Sequence, residues 1–502
     1  MKLRLLVGAL LTLGLGLCLA VCAQEEEEED CFARPVHSLQ YPESFKAYDT
    51  NGDDKADFFL LADPQGRIDR IGYDVAGTGR PDAIIHLDDL PASHCRHLVI
   101  ILDGFGYDVA KGYYDGGGLR MFHPPSRVIA TYPTLTDLCL ADALGDMPCP
   151  AFQSRYFDPK ANSSTGGAAA YLKSANEPYV RLLGYIAEKK IDGLAFLFGE
   201  PIFEKDVLGL QAAFDRRDRR ELLAYLVSTA AMSTREGADG QKKCLKRVDE
   251  LVTRMVWQTR GLVKVTLLSD HGHSYTRPTF LDFISLLEDK GWRVVDHLEG
   301  PKDVNFVPLG LVTCASFSTF RPGALAADLA GIKGVELASY VAGERVVVIS
   351  SDGGRATIHK VGSGYIYEPT HGDPLKLRDA LAGMKANPDG AYDADELLRV
   401  TAYCAYPSPL ERLWRAHFAL VENPSDVIVS LEDGYCSGLK LFMHVVKIVS
   451  THGSLNRTNS TAFIMSTAGP LSPVMRSTDI PRNMTDLLGT PWPMNKCLGG
   501  RQ

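Results

Sequence analysis

The sequence lacks three features that would place it in common functional classes. Its 502 residues contain no Cys-x-x-Cys pair, so a zinc-thiolate site is not indicated. Acidic residues outnumber basic ones by 62 to 53, and the formal net charge of −9 argues against a broad nucleic-acid-binding surface. No stretch after residue 23 is long and apolar enough to span a bilayer. The composition, 45% hydrophobic and 23% charged, instead predicts one large globular domain with an accessory module.

The first 23 residues have the pattern of a secretory signal peptide. Lys2 and Arg4 form a basic start, residues 5–21 are apolar, and the triplet Val-Cys-Ala at 21–23 is a candidate cleavage site. An uncleaved anchor and a lipid-modified cysteine are the alternatives. We therefore expect an exported protein, whether secreted, periplasmic or held at the cell surface. Some of the nine cysteines that follow the signal are expected to form disulfides.

A short internal repeat follows an acidic segment at residues 24–30 that we interpret as a solvated tail. Residues 48–58 recur 25 positions later as residues 73–83, and residues 24–92 are predicted to form the accessory module. The first copy is similar to the calcium loops of EF-hand, dockerin and FG-GAP-type repeats. Its candidate calcium ligands are Asp49, Asn51, Asp53 and Asp57. The second copy keeps Asp74 and Asp82 but has Ala76 and Thr78 at the other two ligand positions. The alternative for both copies is a pair of ion-free Asx-turn hairpins.

Two predicted strands of the main domain, residues 93–497, end in carboxylates. The apolar run 97–102 leads into Asp103, and the run 262–268 leads into Asp270 and His271. A carboxylate and an imidazole side by side at a strand's C-terminal end are suitable ligands for a divalent metal, and sites in parallel α/β sheets form at such ends. We expect Gly272 to allow a sharp turn there.

A hydroxyl lies at the start of a predicted helix after another strand. Residues 128–132 read as the strand, Pro133 begins a turn, and Thr136 precedes the helical run 138–144. Thr136 is either a simple helix cap or a nucleophile placed where backbone N–H groups stabilise an attached phosphate.

The order of strands and helices predicts a doubly wound, mostly parallel α/β sheet flanked by helices. Further strands are expected at 194–198 and 224–229, and a helix at 241–259 leads into the strand before Asp270. Residues 292–431 are less regular and are interpreted as an inserted cap subdomain. The main sheet is expected to resume at 426–431, followed by Ser-Thr-His-Gly at 450–453.

Four pieces taken together resemble the alkaline phosphatase superfamily, most nearly its type I phosphodiesterase/nucleotide pyrophosphatase branch. They are Asp-Gly at 103–104, Pro-Thr-Leu-Thr at 133–136, Ser-Asp-His-Gly at 269–272 and Ser-Thr-His-Gly at 450–453. The resemblance covers residues 95–290 and 426–493 and implies an alkaline phosphatase-like fold. It also implies hydrolysis of phosphate esters with two metal ions, usually zinc, and a Thr or Ser nucleophile. One metal site would consist of Asp103, Thr136, Asp270 and His271, with Thr136 as the nucleophile.

The second metal site that the resemblance implies is incomplete. The family places an Asp and, four residues later, a His before the helix that leads to Ser-Asp-His-Gly, but this chain has Ala230 and Thr234 there. His452 is the ligand that remains, and one imidazole does not hold zinc tightly. An alternative alignment starts from the strand predicted at 194–198 and recruits Glu204 or Asp206.

Three functions are compatible with these patterns. The first is an exported, metal-dependent hydrolase of small phosphate or sulfate esters, working with one metal or a rearranged second site. The second is a degenerate, non-catalytic relative that keeps one metal and acts as a binding protein. The third is a calcium-loop adhesion or scaffold protein that carries the large domain as a passenger.

Overall fold

A computed structural model describes most of the chain. The described residues are 34–38, 40–145, 148–167, 170, 173–187, 189–216, 219–308, 310–440, 443 and 446–494. The predicted signal peptide, the acidic tail, Cys31 and Cys497 lie outside these residues. The chain divides into two compact units, residues 1–91 with 250–262 and residues 92–249 with 263–502. Within the described part, no helix has the length and hydrophobicity that a membrane span requires.

The first unit contains a five-stranded antiparallel sheet in which sequential strands are neighbours. Its strands are β1 (Arg34–Val36), β2 (Lys46–Asp49), β3 (Phe58–Ala62), β4 (Ile68–Tyr73) and β5 (Ala83–His86). The central strand β3 carries four consecutive buried apolar residues, because both of its faces are covered. The two copies of the internal repeat form the hairpin connections between β2 and β3 and between β4 and β5.

The second unit contains a seven-stranded sheet that positions the candidate site. Its strands are, in spatial order, β10 (Tyr185–Ile186), β11 (Glu221–Leu226), β6 (Arg96–Leu102), β12 (Val263–Ser269), β24 (Thr461–Ser466), β7 (Ser126–Ile129) and β25 (Val474–Arg476). Only β24 runs against the common direction of the others in this sheet. The prediction of an α/β fold with a sheet flanked by helices is confirmed at this level, and the sheet is mixed.

A nine-stranded, largely antiparallel sheet forms the other large layer of this unit. Its strands are, in spatial order, β14 (Arg293–Val294), β15 (Asp303–Phe306), β16 (Cys314–Thr319), β22 (Val427–Leu431), β17 (Val335–Ala342), β18 (Arg345–Ser350), β19 (Arg355–Val361), β20 (Gly364–His371) and β21 (Tyr392–Asp393). The prediction that the main sheet resumes at 426–431 is wrong, since β22 lies between β16 and β17. A buried apolar run identifies a strand but not the sheet that it joins.

Two short pairs complete the strands, β8 (Arg155–Asp158) with β9 (Ser163–Gly166) and β13 (Thr279–Phe280) with β23 (Tyr435–Cys436). The described helices are α1 (Tyr107–Asp115), α2 (Thr136–Ala143), α3 (Lys189–Phe198), α4 (Glu200–Asp215), α5 (Ser228–Glu236), α6 (Ala238–Gln258), α7 (Phe283–Glu288), α8 (Pro322–Ala330), α9 (Arg378–Ala382), α10 (Ala394–Thr401), α11 (Pro409–Phe418), α12 (Arg457–Ser460) and α13 (Ile480–Leu488). Short 3-10 helices occupy Ala92–His94, Pro178–Leu182 and Ser477–Asp479.

The helix assignments correct two predictions. Residues 194–198 end the helix α3 and do not form a strand, because a short apolar run does not by itself distinguish the two. The strand expected at 224–229 is β11, which ends at Leu226, and Ser228 already begins α5. The helix expected at 241–259 is confirmed as α6.

All seven cysteines that the structure describes have free thiols. They are Cys95, Cys139, Cys149, Cys244, Cys314, Cys404 and Cys436. The expectation that some cysteines form disulfides is therefore not met within the described part of the chain.

Candidate metal centre

Adjacent parallel strands bring the two predicted carboxylates together. In the register of β6 and β12, Leu102 lies opposite Ser269. The next residue of each strand, Asp103 and Asp270, therefore emerges at the same edge of the sheet. Thr136 reaches this edge as the first residue of α2, which follows β7.

Four of the predicted site residues converge. The ligand atoms of Asp103, Asp270 and His271 lie within 4.8 Å of one another, and all three residues are buried. His271 Nε2 is 3.2 Å from Asp270 Oδ2 and 3.8 Å from Asp103 Oδ1. The hydroxyl of Thr136 lies 3.5 Å from Asp103 Oδ1 and 3.3 Å from His271 Nε2. Thr136 is only half-buried, unlike the three residues of this group.

Hydrogen bonds from the surrounding chain hold the two carboxylates. Asp270 Oδ1 accepts hydrogen bonds from the backbone N–H groups of Gly104 and His271, each at 2.9 Å. Asp103 Oδ2 accepts one from the hydroxyl of Tyr225. Tyr225 was not predicted from the sequence, because it lies inside β11 in an apolar run and the pairing of β11 with β6 is long-range.

The proton on His271 can be placed from its surroundings. Its Nδ1 is 3.0 Å from the carbonyl oxygen of Gly272, which can only accept, so Nδ1 carries the proton of the neutral ring. Burial lowers the pKa of His271 to about 4, so the ring is uncharged near neutral pH. The lone pair on Nε2 consequently points toward the two carboxylates.

Among the residues that the structure describes, no lysine or arginine forms an ion pair with Asp103 or Asp270. Asp270 Oδ2 is buried and has no hydrogen-bond partner. Burial raises the pKa of Asp270 to about 7, and burial together with the charge of Asp270 raises the pKa of Asp103. Two carboxylates and an imidazole lone pair directed at one point are the donor set that a divalent cation takes. The group can therefore hold a metal ion.

The fifth predicted ligand, His452, lies beside this group and is partly exposed. Its ring stacks on that of His271 with a centroid distance of 3.9 Å, and its Nδ1 is 2.8 Å from the carbonyl oxygen of Thr134. The carbonyl oxygen of Thr234 accepts a hydrogen bond from Val449 N at 2.9 Å. The stretch with Ala230 and Thr234 thus contacts the segment that precedes His452, and it offers no strong metal ligand there.

The substitute ligands of the alternative alignment have other partners. Glu204 forms an ion pair with Arg247, with Oε2 2.9 Å from Nε. Asp206 accepts hydrogen bonds from the hydroxyls of Ser228 at 2.6 Å and Tyr185 at 2.8 Å. Because neither carboxylate belongs to the Asp103 group, and because 194–198 is helical, that alignment is not supported.

A third histidine, His273, was missed by the sequence analysis. Its Nδ1 is 2.7 Å from Ser450 Oγ, and its Nε2 is buried without a hydrogen-bond partner. Its signal in the sequence was its position two residues after His271, in the segment that follows β12.

The role of Gly272 differs from the expected sharp turn. A β-carbon on Gly272 would lie 2.0 Å from the carbonyl oxygen of Thr458 and 3.0 Å from that of Thr461. Glycine is therefore needed at position 272 because other backbone segments approach it closely. A positive φ angle is not the reason, since Gly272 does not have one.

We expect Gly272→Ala to lower the free energy of unfolding by about 3 kcal/mol, because the Thr458 carbonyl oxygen at 2.0 Å cannot give way without moving α12 and the start of β24. Urea denaturation followed by circular dichroism measures the change. Gly112→Ala is the matched control, since its β-carbon would lie within α1 with nothing within 4 Å. Equal stability of the two variants would contradict the close-packing role of Gly272.

In the first unit, the candidate calcium ligands shape the hairpin turns. Asp49 accepts hydrogen bonds from Gly52 N at 2.7 Å and Asp54 N at 2.9 Å. It also forms an ion pair with Arg34 at 3.2 Å. These contacts are those of Asx-type turns, and calcium binding here stays a prediction.

No protein-family model matches this chain, and no curated protein matches it. A functional assignment therefore depends on the motifs and on the geometry of the Asp103 group.

Proposed function

We propose that this protein is an exported, metal-dependent hydrolase of small phosphate esters that uses Thr136 as its nucleophile. The observation that carries the proposal is the buried Asp103–Asp270–His271 group with the Thr136 hydroxyl 3.3 Å from His271 Nε2. The resemblance to the phosphodiesterase branch of the alkaline phosphatase superfamily supports the same assignment, with an alkaline phosphatase-like fold and residues 292–431 as its cap.

Asp103, Asp270 and His271 would hold the metal, for which zinc is the expected ion. A bound divalent cation supplies Lewis-acid chemistry, which favours a deprotonated hydroxyl and neutralises phosphoryl charge. The Thr136 oxygen bonds to phosphorus as the ester P–O bond breaks, and the alcohol leaves with the proton that the hydroxyl gives up. Water then cleaves the bond between phosphorus and the Thr136 oxygen, which releases phosphate and restores the hydroxyl. Because Thr136 is the first residue of α2, an attached phosphate lies at the positive end of the helix dipole.

A one-metal binding protein without turnover is the second candidate function. The observation that favours it is the stretch beside His452, where Ala230 and Thr234 stand in place of the carboxylate and imidazole of the resembled site. Such a protein would bind a phosphate-bearing ligand through the Asp103 group but would not cleave it.

Metal content and turnover together test these proposals. The full chain is stripped with chelator and reloaded with zinc, cobalt or manganese, and bound metal is counted by mass spectrometry. Turnover is then measured on aryl phosphate monoesters and diesters and on an aryl sulfate. Bound metal with turnover is expected for the hydrolase, and bound metal without turnover would identify the binding protein. Absence of tight metal binding would contradict both.

The matched variants for this test are Asp270→Asn and Asp206→Asn. Both positions are buried carboxylates, but Asp206 is hydrogen-bonded to Ser228 and Tyr185 outside the Asp103 group. We expect only Asp270→Asn to lose the metal.

A further inference from the structure

A polar pocket is lined by residues of helix α11 and of the C-terminal ends of strands β7 and β25. It contains about 240 Å³ of empty space, and none of its lining residues belongs to the Asp103 group. The charged residues that line it are Glu411, Arg412, Arg415 and Arg476. Three guanidinium groups and one carboxylate therefore line the same space.

Two of the three arginines are paired with carboxylates. Arg415 donates hydrogen bonds to Asp142 from both of its Nη atoms, at 2.7 and 2.8 Å. The Nε atom of Arg476 is 2.6 Å from Oε2 of Glu411. Arg412, by contrast, is only 5% exposed and forms no ion pair with any residue that the structure describes. Its positive charge is therefore buried without a counter-charge.

The hydrogen bonds of Arg412 leave one of its donors free. Nη1 donates to the carbonyl oxygens of Pro407 and Leu455, each at 3.1 Å, and Nη2 donates to the hydroxyl of Ser460 at 2.7 Å. Nε is buried and has no hydrogen-bond partner. Burial lowers the pKa of Arg412 to about 9, so the side chain is still charged at pH 7. A buried charge that only neutral oxygens solvate is costly, and an anion beside it would remove much of this cost.

The start of α11 adds to the positive potential of the pocket. Ser408 precedes the first helical residue and lines the pocket, and its hydroxyl does not cap the helix. The pocket therefore includes the positive end of the α11 dipole. Other hydroxyls of the lining donate elsewhere, because Thr131 bonds to Asp142 and Ser477 bonds to the carbonyl oxygen of Ile129.

The geometry of the free donor indicates the kind of anion. A guanidinium recognises an oxyanion through two parallel N–H groups, but here both Nη atoms already donate to protein oxygens. The single Nε–H suits a spherical anion. The empty space is also below the roughly 300 Å³ at which sites for organic ligands begin.

We propose that this pocket binds a small inorganic anion of the halide class, with Arg412 Nε as its main donor and the Ser408 hydroxyl as a second. The inference does not depend on the proposed function. Because Arg412 connects α11 to Leu455 and Ser460 and lies over the ring of Tyr132, a bound halide would stabilise the contact of three chain segments.

Thermal unfolding of the full chain in mixtures of sodium chloride and sodium gluconate, at constant ionic strength, tests this inference. Gluconate is too large for the pocket and keeps the general effect of salt unchanged. As chloride replaces gluconate, the Tm of wild type is expected to rise by about 2 °C and then to saturate. Arg412→Gln is expected to show no such rise, because glutamine carries no charge.

Arg127→Gln is the matched control. Arg127 is also buried and has an unpartnered Nε, but its charge is balanced by Asp108, with Nη2 3.3 Å from Oδ1. We expect this variant to keep the chloride-dependent rise in Tm.

Two results would overturn the inference. One is a wild-type Tm that does not respond to chloride or that rises only with sodium phosphate, and the other is an equal chloride response in Arg412→Gln. If Arg412→Gln does not fold, wild-type crystals grown in sodium bromide decide. An anomalous bromide peak within hydrogen-bonding distance of Arg412 Nε supports the site, and the absence of a peak there contradicts it.

Discussion

Replacing Thr136 with alanine is expected to lower kcat/KM for aryl phosphate esters by at least about 1,000-fold and to leave metal binding intact. The hydroxyl is the proposed nucleophile, whereas Asp103, Asp270 and His271 each keep a hydrogen bond to another group when it is removed. Steady-state kinetics and metal counting on the same preparation measure both effects.

Thr136→Ser is the matched control for this prediction. Serine keeps an oxygen at the start of α2 and should retain turnover within about tenfold of wild type, since only a methyl group is lost. A Thr136→Ala variant that turns over within tenfold of wild type would contradict the nucleophile assignment. Metal lost together with turnover would instead show that Thr136 is needed as a ligand.

The residues of the candidate site that lie at predicted strand ends and turns could be predicted from the sequence. Two apolar runs that each end in Asp-Gly or Asp-His-Gly indicate neighbouring strand ends, and the register of β6 and β12 brings Asp103 and Asp270 together. Thr136 was placed by the turn and the helix that surround it in sequence. These inferences depend on residues close in the chain, so periodicity and turn chemistry are sufficient for them.

The contacts that complete the site were not predictable in the same way. Tyr225 bonds to Asp103 across 122 residues, and Ser450 anchors His273 across 177. Such pairings depend on strand order, which no local pattern encodes. The same reason explains the misplacement of β22, which has the apolar run of a central strand but pairs with β16 and β17 of the other sheet.

The second large effect concerns stability without metal. Both proteins are compared without metal. Between pH 5 and pH 8, the stability of Asp270→Asn relative to wild type is expected to rise by on the order of 2 kcal/mol. The variant is therefore expected to be the more stable protein at pH 8. The pKa of Asp270 is raised by folding from 3.8 to about 7, so its favourable contribution is present below pH 4 and is lost as pH rises through about 7. Asparagine carries no charge at either pH and still offers the oxygen that accepts from Gly104 N. Its amide can also donate to His271 Nε2.

Metal should reverse this order. Excess zinc stabilises wild type through preferential binding to the folded state, and it should have little effect on the variant that has lost a ligand. Thermal unfolding of both proteins with chelator and with zinc, at pH 5 and pH 8, measures whether zinc reverses their order of stability. Zinc should stabilise Asp206→Asn as much as it stabilises wild type and leave their order unchanged, because Asp206 is hydrogen-bonded to two hydroxyl groups outside the Asp103 group. If stripped wild type stayed the more stable protein at pH 8, the buried carboxylates would have another counter-charge. An order of stability that is the same with and without zinc would therefore argue against a metal ion as the group that Asp103 and Asp270 bind.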